Sequence, residues 1–321
     1  MIASDATVPG VTVLALQGGG AHGAFAWGVL DRLLESGTGF AAISGVSSGA
    51  LLGVMLAQGW ARDAAAGARR EMRRLWHSVA AAHAFSPWRN SPLERWLWGW
   101  DPSNSLAWQG MEAAMRLFSP AQLNPFGHNP LRPMIADLLD RTALTAPAAP
   151  RISIAATDVA TGEAVLFDNA TIDVDALLAS CCLPMVFPAV EIGGRAFWDG
   201  AYSGNPPLAP LLQPLPARLV LIRGQPRRRP GVPAAPAEIL NRLNEIACQG
   251  VLDAELARLP HGIALDDYAA DEALLALPIA SKLSGEAELF ATLFDAGREA
   301  ASRGPDRRLT GASPPRLSAA D

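Results

Sequence analysis

The chain has 321 residues, of which half are hydrophobic and 18% are charged. This composition excludes a disordered, highly solvated chain and supplies enough apolar side chains for a sizeable core. The net charge of −5 argues against a nucleic-acid partner, because a general nucleic-acid binder would show its basic face in the charge balance.

The few cysteines and histidines limit the chemistry further. Three cysteines, an odd and low number, indicate free thiols in a reducing compartment. The five histidines are scattered and no spacing resembles a zinc site, so we predict no metal and no cofactor. No basic residue precedes the first apolar stretch, and glycines interrupt that stretch. We therefore expect neither a secretory signal nor a membrane-spanning helix, and a cytoplasmic location.

Short apolar runs alternate with helical patterns along the first part of the chain. Residues 11–17 are apolar and β-branched and end in a glycine cluster, which predicts a buried strand. Helical spacing over 24–35 ends near Gly37. A second strand candidate, residues 40–46, leads into an apolar helix that reaches about Gln58.

The rest of the chain continues this alternation. Residues 62–140, rich first in Ala and Arg and then in Trp, are predicted to be a helical insertion. Further strands are predicted at 151–157, 164–167, 189–192, 195–198 and 217–222, and a long helix at 238–259. Strands alternating with helices predict an α/β protein, with three α/β/α layers and a mainly parallel central sheet.

The same pass along the chain predicts domain limits. Residues 1–10 are an amino-terminal extension, and 11–300 form one domain that contains the helical insertion. Residues 301–321, which are rich in Pro, Ser and Arg, are predicted to be a disordered tail.

The glycine cluster Gly18 to Gly23 reads G-x-G-x-x-G between a predicted strand and a predicted helix. As a dinucleotide fingerprint it would require an acidic residue about 20 residues later, and residues 38–46 contain none. The alternative is an oxyanion hole, in which backbone N–H groups and the helix dipole stabilise developing negative charge. On this pattern alone, a tight turn without a ligand also stays open.

A second pattern, Gly45 to Gly49, matches G-x-S-x-G between an apolar strand and an apolar helix. A serine on such a sharp turn exposes its oxygen, and the small flanking residues avoid clashes. Ser47 occupies the central position and is the candidate nucleophile. The N–H of the adjacent Ser48 is a candidate oxyanion donor.

A nucleophilic serine needs a base, and Asp199 is the candidate. It follows the predicted strand that ends at Trp198 and precedes a glycine turn, so its carboxylate can project into a site. Partial desolvation beside aromatic residues would raise its pKa and make it a better base. Taken alone, Asp-Gly is typical of an ordinary turn.

These three motifs, in this order, resemble the patatin-like phospholipase family in its bacterial form. That family carries a glycine-rich strand turn, a G-x-S-x-G serine and a D-G-A or D-G-G aspartate. Two stretches between them, 155–163 and 179–188, also resemble the family. The resemblance covers roughly residues 11–215.

The resemblance implies a patatin-like hydrolase fold and a lipid acyl hydrolase with a Ser–Asp dyad. Carried over residue by residue, Ser47 is the nucleophile and Asp199 the proton acceptor. Four glycines shape the oxyanion hole: Gly18, Gly19, Gly20 and Gly23. The substrate is a lipid or another acyl ester. One departure is His22, since the family often has Arg or Lys there, and a histidine would be charged only part of the time.

Three alternatives stay open at this point. His261 follows Asp199 in the chain, so Ser47, Asp199 and His261 have the order of an α/β-hydrolase triad. A transacylase would use the same acyl-enzyme with a different acceptor. A non-enzymatic scaffold would show no labelling of Ser47 by fluorophosphonates.

Aromatic and basic clusters suggest further surfaces. Five of the nine tryptophans lie between residues 88 and 108. A packed helical cap or a subunit contact is the favoured interpretation, with peripheral membrane contact as the alternative. The basic stretch Arg223 to Arg229 is predicted to be a solvated loop, with contact to anionic headgroups as the alternative. The oligomeric state is not predicted.

Overall fold

The computed structural model describes residues 8–83, 90–98 and 101–309. Within these ranges nine strands belong to one sheet: β1 (Val8–Leu16), β2 (Ala42–Gly45), β3 (Arg151–Asp158), β4 (Ala164–Asp168), β5 (Val190–Ile192), β6 (Arg195–Asp199), β7 (Pro216–Ile222), β8 (Ala264–Tyr268) and β9 (Arg307–Leu309).

The described α-helices lie mainly between these strands: α1 (Gly23–Glu35), α2 (Ser48–His83), α3 (Pro92–Trp98), α4 (Leu106–Leu117), α5 (Pro120–Leu123), α6 (Leu131–Leu138), α7 (Arg141–Leu144), α8 (Val174–Ser180), α9 (Pro236–Leu256), α10 (Asp271–Leu275) and α11 (Ala287–Arg303). Short 3-10 helices occupy Gly20–His22, Pro102–Asn104, Gly200–Tyr202, Ala209–Leu211 and Ile279–Leu283. Helix α2 bends at Asp63 and Ala64, whose backbone angles are not helical.

The sheet has the order β5-β6-β3-β2-β1-β7-β8-β9, with β4 also paired to β3. Five neighbouring strands at the centre of the sheet run parallel: β3, β2, β1, β7 and β8. The pairings of β4, β5, β6 and β9 are antiparallel. The sheet is therefore mixed but mainly parallel, as the alternating pattern predicts.

Helices cover both faces of this sheet. Leu14 and Leu16 of β1 belong to a large core with α1, α2, α8 and α11. The alternate side chains of β1, Val13 and Ala15, pack on the opposite face with Leu252 of α9. Because successive strand residues point to opposite faces, one apolar strand serves both cores. The predicted three-layer α/β/α arrangement is confirmed.

Helices α1 and α11 approach each other at glycines. A Cβ atom on Gly28 would lie 2.0 Å from the carbonyl oxygen of Phe294, and one on Gly297 would lie 2.2 Å from that of Phe25. The two backbones are thus in contact, and a larger residue at either glycine would push the helices apart.

Regular secondary structure reaches into both predicted terminal segments. Strand β1 begins at Val8, inside the predicted extension of residues 1–10. Helix α11 continues to Arg303 and β9 pairs with β8, inside the tail predicted from residue 301. The remaining parts of both predictions, residues 1–7 and 310–321, lie outside the described residues.

The described part of residues 62–140 contains helices and no strand. The predicted limits of the domain and of its insertion stay predictions. Among the described residues, no helix is both long and apolar enough to cross a membrane.

Candidate active site

Ser47 lies at the carboxyl edge of the parallel sheet, in the turn between β2 and α2. Its φ of 54° is left-handed, a conformation that costs a non-glycine residue about 1–3 kcal/mol and is concentrated at functional sites. The amide of Ser47 donates to Ser180 Oγ at 3.0 Å, which helps to hold the turn in place.

The glycines of the G-x-S-x-G motif are required by close backbone contacts. A Cβ atom on Gly45 would lie 2.6 Å from the carbonyl oxygen of Gly49, and one on Gly49 would lie 2.4 Å from that of Leu16. These positions therefore exclude larger residues, as the sharp strand-to-helix turn predicts.

Sheet register brings Asp199 next to this turn. Along β3, Ile154 pairs with Gly45 at the end of β2, and Ala156 pairs with Asp199 at the end of β6. Asp199 therefore lies beside β3 only two residues past the point where β2 ends. Two residues far apart in the chain, Ser47 and Asp199, are thereby brought together.

The Asp199 carboxylate is 2% exposed. Burial raises its pKa to about 6, against hydrogen bonds from the Ala201 amide and the Ser47 side chain that lower it. The Ala201 amide donates to Asp199 Oδ1 at 2.9 Å. A buried carboxylate that contacts a serine hydroxyl and titrates near neutral pH has the properties of a general base.

Apolar side chains and thiols surround Ser47 and Asp199. Val46, Ala155, Ala201 and Cys248 form one buried cluster. Burial, reinforced by the charge of Asp199, raises the pKa of Cys248 to about 11. The pKa of Cys181, whose thiol contacts the Ser47 side chain, is also raised, above all by burial. These thiols are therefore protonated and uncharged at neutral pH.

The glycine turn after β1 packs against the serine turn. A Cβ atom on Gly18 would lie 2.9 Å from Ser47 Cβ, and one on Gly23 would lie 2.8 Å from Ser48 Oγ. At Gly20, which has a φ of 59°, a Cβ atom would lie 2.2 Å from the carbonyl oxygen of Lys282. The absence of side chains is what lets the two turns meet.

The backbone amides of the glycine turn differ in whether they donate hydrogen bonds. The Gly18 amide donates to Asn205 Oδ1 at 3.1 Å, and the Gly19 amide donates to Ser48 Oγ at 3.2 Å. In the described part of the chain, the amides of Gly20 and Ala21 have no hydrogen-bond partner. Gly20 and Ala21 begin a 3-10 helix, so their N–H groups are the donors of this turn left for an anion.

His22 does not supply a positive charge. It is 2% exposed, and its Nε2 atom lies 2.7 Å from Ser281 Oγ. Burial, followed by the charge of Lys282, lowers its pKa to about 3. The side chain is therefore neutral at neutral pH, and its role is to link the glycine turn to the 3-10 helix Ile279–Leu283.

Three supporting residues were missed by the sequence analysis. Ser180 holds the Ser47 amide, Asn205 holds the Gly18 amide, and Gln17 Oε1 accepts from the amides of Gly224 and Gln225 at 3.0 and 3.1 Å. Ser180 lies inside the stretch 179–188 that resembles the family, which was the one available signal. No sequence signal pointed to Asn205 or Gln17, because their hydrogen-bond partners lie on other elements.

The remaining candidate, His261, lies away from this site. It is exposed and precedes the amino end of β8, whereas Ser47 follows the carboxyl end of β2. Parallel strands place these two ends at opposite edges of the sheet, so the structure does not bring His261 to Ser47 and Asp199. Among the described residues, no group of His, Cys, Asp and Glu is arranged to hold a metal ion.

Two tryptophans of the stretch 88–108 do not fit a packed helical cap, whereas the subunit contact stays a prediction. Trp96 is 80% exposed and Trp98 is 42% exposed, so a packed cap is the wrong description of these two side chains. Trp108 is partly buried. Trp88 and Trp100 lie outside the described residues.

The arginines after β7 also differ from the prediction of a solvated loop. Arg223 is buried and forms two hydrogen bonds to Asp267, at 2.9 and 3.1 Å. Arg229 pairs with Glu245 at 2.9 Å. Much of the basic stretch is therefore tied into the fold by ion pairs.

One family model matches more than half of the chain. Residues 14–212 match the family model described as Patatin-like phospholipase. Curated proteins give no match. Among solved structures, VipD from Legionella pneumophila is similar at 12% identity and a TM-score of 0.40, over 92% of this chain and 67% of that one.

ExoU from Pseudomonas aeruginosa, in complex with SpcU, is similar at 17% identity and a TM-score of 0.32. The similarity covers 94% of this chain and 54% of ExoU, so this chain spans about half of that protein's length. Fold and site together define an α/β protein with a patatin fold. The chain belongs to the patatin-like phospholipase family.

Proposed function

We propose that this protein is a serine lipid acyl hydrolase, a phospholipase A or lysophospholipase type of esterase, that works through a Ser–Asp dyad and an acyl-enzyme. The observation that carries the proposal is the contact of Ser47, on its strained turn, with the buried Asp199 carboxylate. Membership of the family supports a lipid acyl ester as the substrate.

In the first half-reaction, Ser47 Oγ attacks the ester carbonyl carbon while Asp199 accepts the hydroxyl proton. The new O–C bond gives a tetrahedral oxyanion. When the bond to the leaving oxygen breaks, the protonated Asp199 returns the proton to that oxygen, and the alcohol or lysolipid departs. An acyl group remains on Ser47.

In the second half-reaction, a water molecule attacks the acyl carbon and Asp199 accepts its proton. Collapse of the second tetrahedral oxyanion breaks the bond to Ser47 Oγ, which takes the proton back from Asp199. The fatty acid leaves, and serine and carboxylate return to their starting states.

The oxyanion is stabilised by backbone amides at the start of two helices. Gly20 and Ala21 supply N–H groups from the glycine turn, and Ser48 supplies one from the start of α2. Gly18, Gly19 and Gly23 shape the hole through their lack of side chains. Donors held in place before the reaction need no reorganisation as charge develops, and removing one typically lowers turnover by about 10²–10³-fold.

The experiment compares wild type with Ser47→Ala and Asp199→Asn. Each protein is incubated with a mixed lipid extract, and released fatty acids and lysolipids are measured by mass spectrometry. We expect both variants to lose at least about 10³-fold in turnover, and Ser47→Ala to lose fluorophosphonate labelling completely. Ser36→Ala, at the far end of α1, serves as the matched serine control and should behave as wild type. Product release or labelling that persists in Ser47→Ala would refute the proposal.

A further inference from the structure

Lys282 is the only lysine among the 26 lysines and arginines of the chain, and its side chain points inward. It belongs to the 3-10 helix Ile279–Leu283, and the side chain is only 20% exposed. Its Nζ atom donates to Asn241 Oδ1 at 2.6 Å and to Glu245 Oε1 at 3.2 Å. Both acceptors lie on the buried side of α9, so Lys282 attaches this short helix to α9.

The Glu245 carboxylate is buried and stays charged. Burial by itself would raise its pKa, but hydrogen bonds and charges from Arg229, Lys282 and Asn241 outweigh burial and lower the pKa to about 2. Arg229 donates to the two carboxylate oxygens at 2.9 and 3.0 Å, and Asn241 Nδ2 donates to Oε1 at 2.9 Å. The carboxylate therefore keeps other partners when the Lys282 ammonium is removed.

The same 3-10 helix contacts the glycine turn directly. A Cβ atom on Gly20 would lie 2.2 Å from the carbonyl oxygen of Lys282. The neighbouring Ser281, which is buried, has its Oγ atom 2.7 Å from Nε2 of His22. Residues 281 and 282 thus connect the charged cluster on α9 to the glycine turn.

This contact lies where the glycine turn has the fewest hydrogen bonds of its own. Asn205 holds the Gly18 amide and Ser48 holds the Gly19 amide, whereas the amides of Gly20 and Ala21 have no partner among the described residues. The position of these two amides therefore depends on packing, and the backbone of Lys282 is what packs against Gly20.

From these contacts we propose that Lys282 is a positioning residue for the oxyanion site. Its ion pair with Glu245 would hold the 3-10 helix Ile279–Leu283 against Gly20 and so fix the direction of the Gly20 and Ala21 amides. The inference rests on the proposed function, in which these amides stabilise the oxyanion. Such donors are effective because they are held in place before charge develops, and a displacement of about 1 Å can cost about 10²-fold in rate.

The kinetic test uses Lys282→Met, which removes the ammonium and keeps an unbranched side chain. With a short-chain soluble ester we expect kcat to fall about 10–100-fold. KM should change little, because the amides contact an anion that exists only after the carbonyl is attacked. The acidic midpoint near pH 6 should also stay, since burial and the hydrogen bonds from Ala201 and Ser47 set the pKa of Asp199.

Asp31→Asn is the matched control for loss of a buried ion pair. Asp31 is 2% exposed and joins α1 to α2 and α11 through Arg69, at 2.7 Å, and Arg298. Both arginines also contact Glu35, at 3.6 and 2.8 Å, so they keep a partner in the variant. We expect Asp31→Asn to lower stability towards urea and to leave kcat and KM at the wild-type values.

Hydrogen exchange follows the glycine turn without any substrate. The amides of Gly18, Gly19 and His22 are hydrogen-bonded, so mass spectrometry of residues 18–23 reports how firmly the turn is held. Exchange should be about tenfold faster in Lys282→Met and unchanged in Asp31→Asn. If wild type hydrolyses no ester, the proposed function fails, while this measurement still decides whether Lys282 holds the turn.

A single lysine also gives a spectroscopic readout. In protein labelled selectively with ¹³C-lysine, the one side-chain signal belongs to Lys282. Reaction of Ser47 with a fluorophosphonate places a phosphoryl oxygen at the oxyanion site, and the signal should shift if Lys282 is coupled to the glycine turn. A signal that stays in place after complete reaction contradicts the proposal.

Ser281→Ala keeps the test decisive if Lys282→Met does not fold. It leaves every charge in place and removes only the contact with His22, so we expect a smaller loss in kcat, about 3–10-fold, at unchanged KM. Wild-type kcat and exchange in a folded Lys282→Met, or in Ser281→Ala if Lys282→Met does not fold, would overturn the proposal. An equal loss of kcat in Asp31→Asn would also overturn it, because general stability would then explain the effect.

Discussion

At the scale of single residues, two opposing effects set the pKa of the Asp199 carboxylate. Burial favours its neutral form, whereas the Ala201 amide and the Ser47 hydroxyl favour the charged form. Burial is the larger effect, so the pKa rises to about 6. The residue is thus charged at neutral pH yet basic enough to accept a proton from serine.

This pKa predicts the pH dependence of the reaction. Because the base must be deprotonated, kcat/KM for a neutral soluble ester should rise as pH increases through about 6 and level off above it. Below that midpoint it should fall about tenfold per pH unit. The measurement is a pH profile of initial rates at low substrate concentration.

The matched control for this profile is His22→Gln. His22 is neutral because burial lowers its pKa to about 3, so it should contribute nothing to an acidic limb near pH 6. The variant should keep the same midpoint, even if its turnover is lower. Loss of the limb in His22→Gln would assign the titration to the histidine and contradict the role given to Asp199.

At the scale of elements, glycines set how closely helices and turns approach. The serine turn and the glycine turn meet because Gly18, Gly23 and Gly49 leave room for neighbouring atoms. Helices α1 and α11 also come into close contact because Gly28 and Gly297 have no side chains. In this protein, close backbone contacts therefore shape both the site and the helical layer next to it.

Helix packing gives a stability prediction at this scale. Gly28→Ala places a methyl group against the Phe294 carbonyl, 2.0 Å away before relaxation, and should destabilise the protein by about 1–3 kcal/mol. Denaturant unfolding measures the change. Gly110→Ala, in α4 with nothing within 4 Å of the added Cβ, is the matched control and should stabilise by about 0.5–1 kcal/mol.

Equal changes in the free energy of unfolding for the two alanine variants would contradict this prediction. Equal stability would mean that α11 can shift without loss, so the close approach of the helices would not be required by the fold. The two changes add the same methyl group within a helix, so their difference isolates the packing contribution.

At the scale of the whole molecule, sheet topology decides which residues can cooperate. The carboxyl ends of β1 and β2 carry the glycine turn and the serine turn, and β6 continues beside β3 where β2 ends. This convergence assembles the site from segments distant in the chain. The loop that carries His261 enters β8 from the opposite edge.

A dyad and a triad therefore give different predictions for His261→Ala. With the proposed dyad, fluorophosphonate labelling of Ser47 and ester hydrolysis should both stay at the wild-type level, because the exposed His261 lies away from Ser47 and Asp199. Gel-based labelling and an esterase assay provide the readouts. A loss of several orders of magnitude in ester hydrolysis, as expected on removing a triad base, would instead support a triad of Ser47, Asp199 and His261.

The sequence by itself identified the α/β class, the mainly parallel sheet, the two glycine-containing turns and the candidates Ser47 and Asp199. These are local features: strand periodicity, helix stops and sharp turns depend on neighbouring residues, and short motifs record them directly. The pairing of β9 with β8 was not predicted, because it depends on a strand about 40 residues away.

Only the tertiary structure decided what surrounds those residues. The support of the turns by Ser180 and Asn205, the neutrality of His22 and the inward polar side of α9 arise from contacts between distant segments. Burial sets the pKa values, and sheet register sets the partners. Both are properties of the packed molecule, since they depend on how much water and which charges remain near a group after folding.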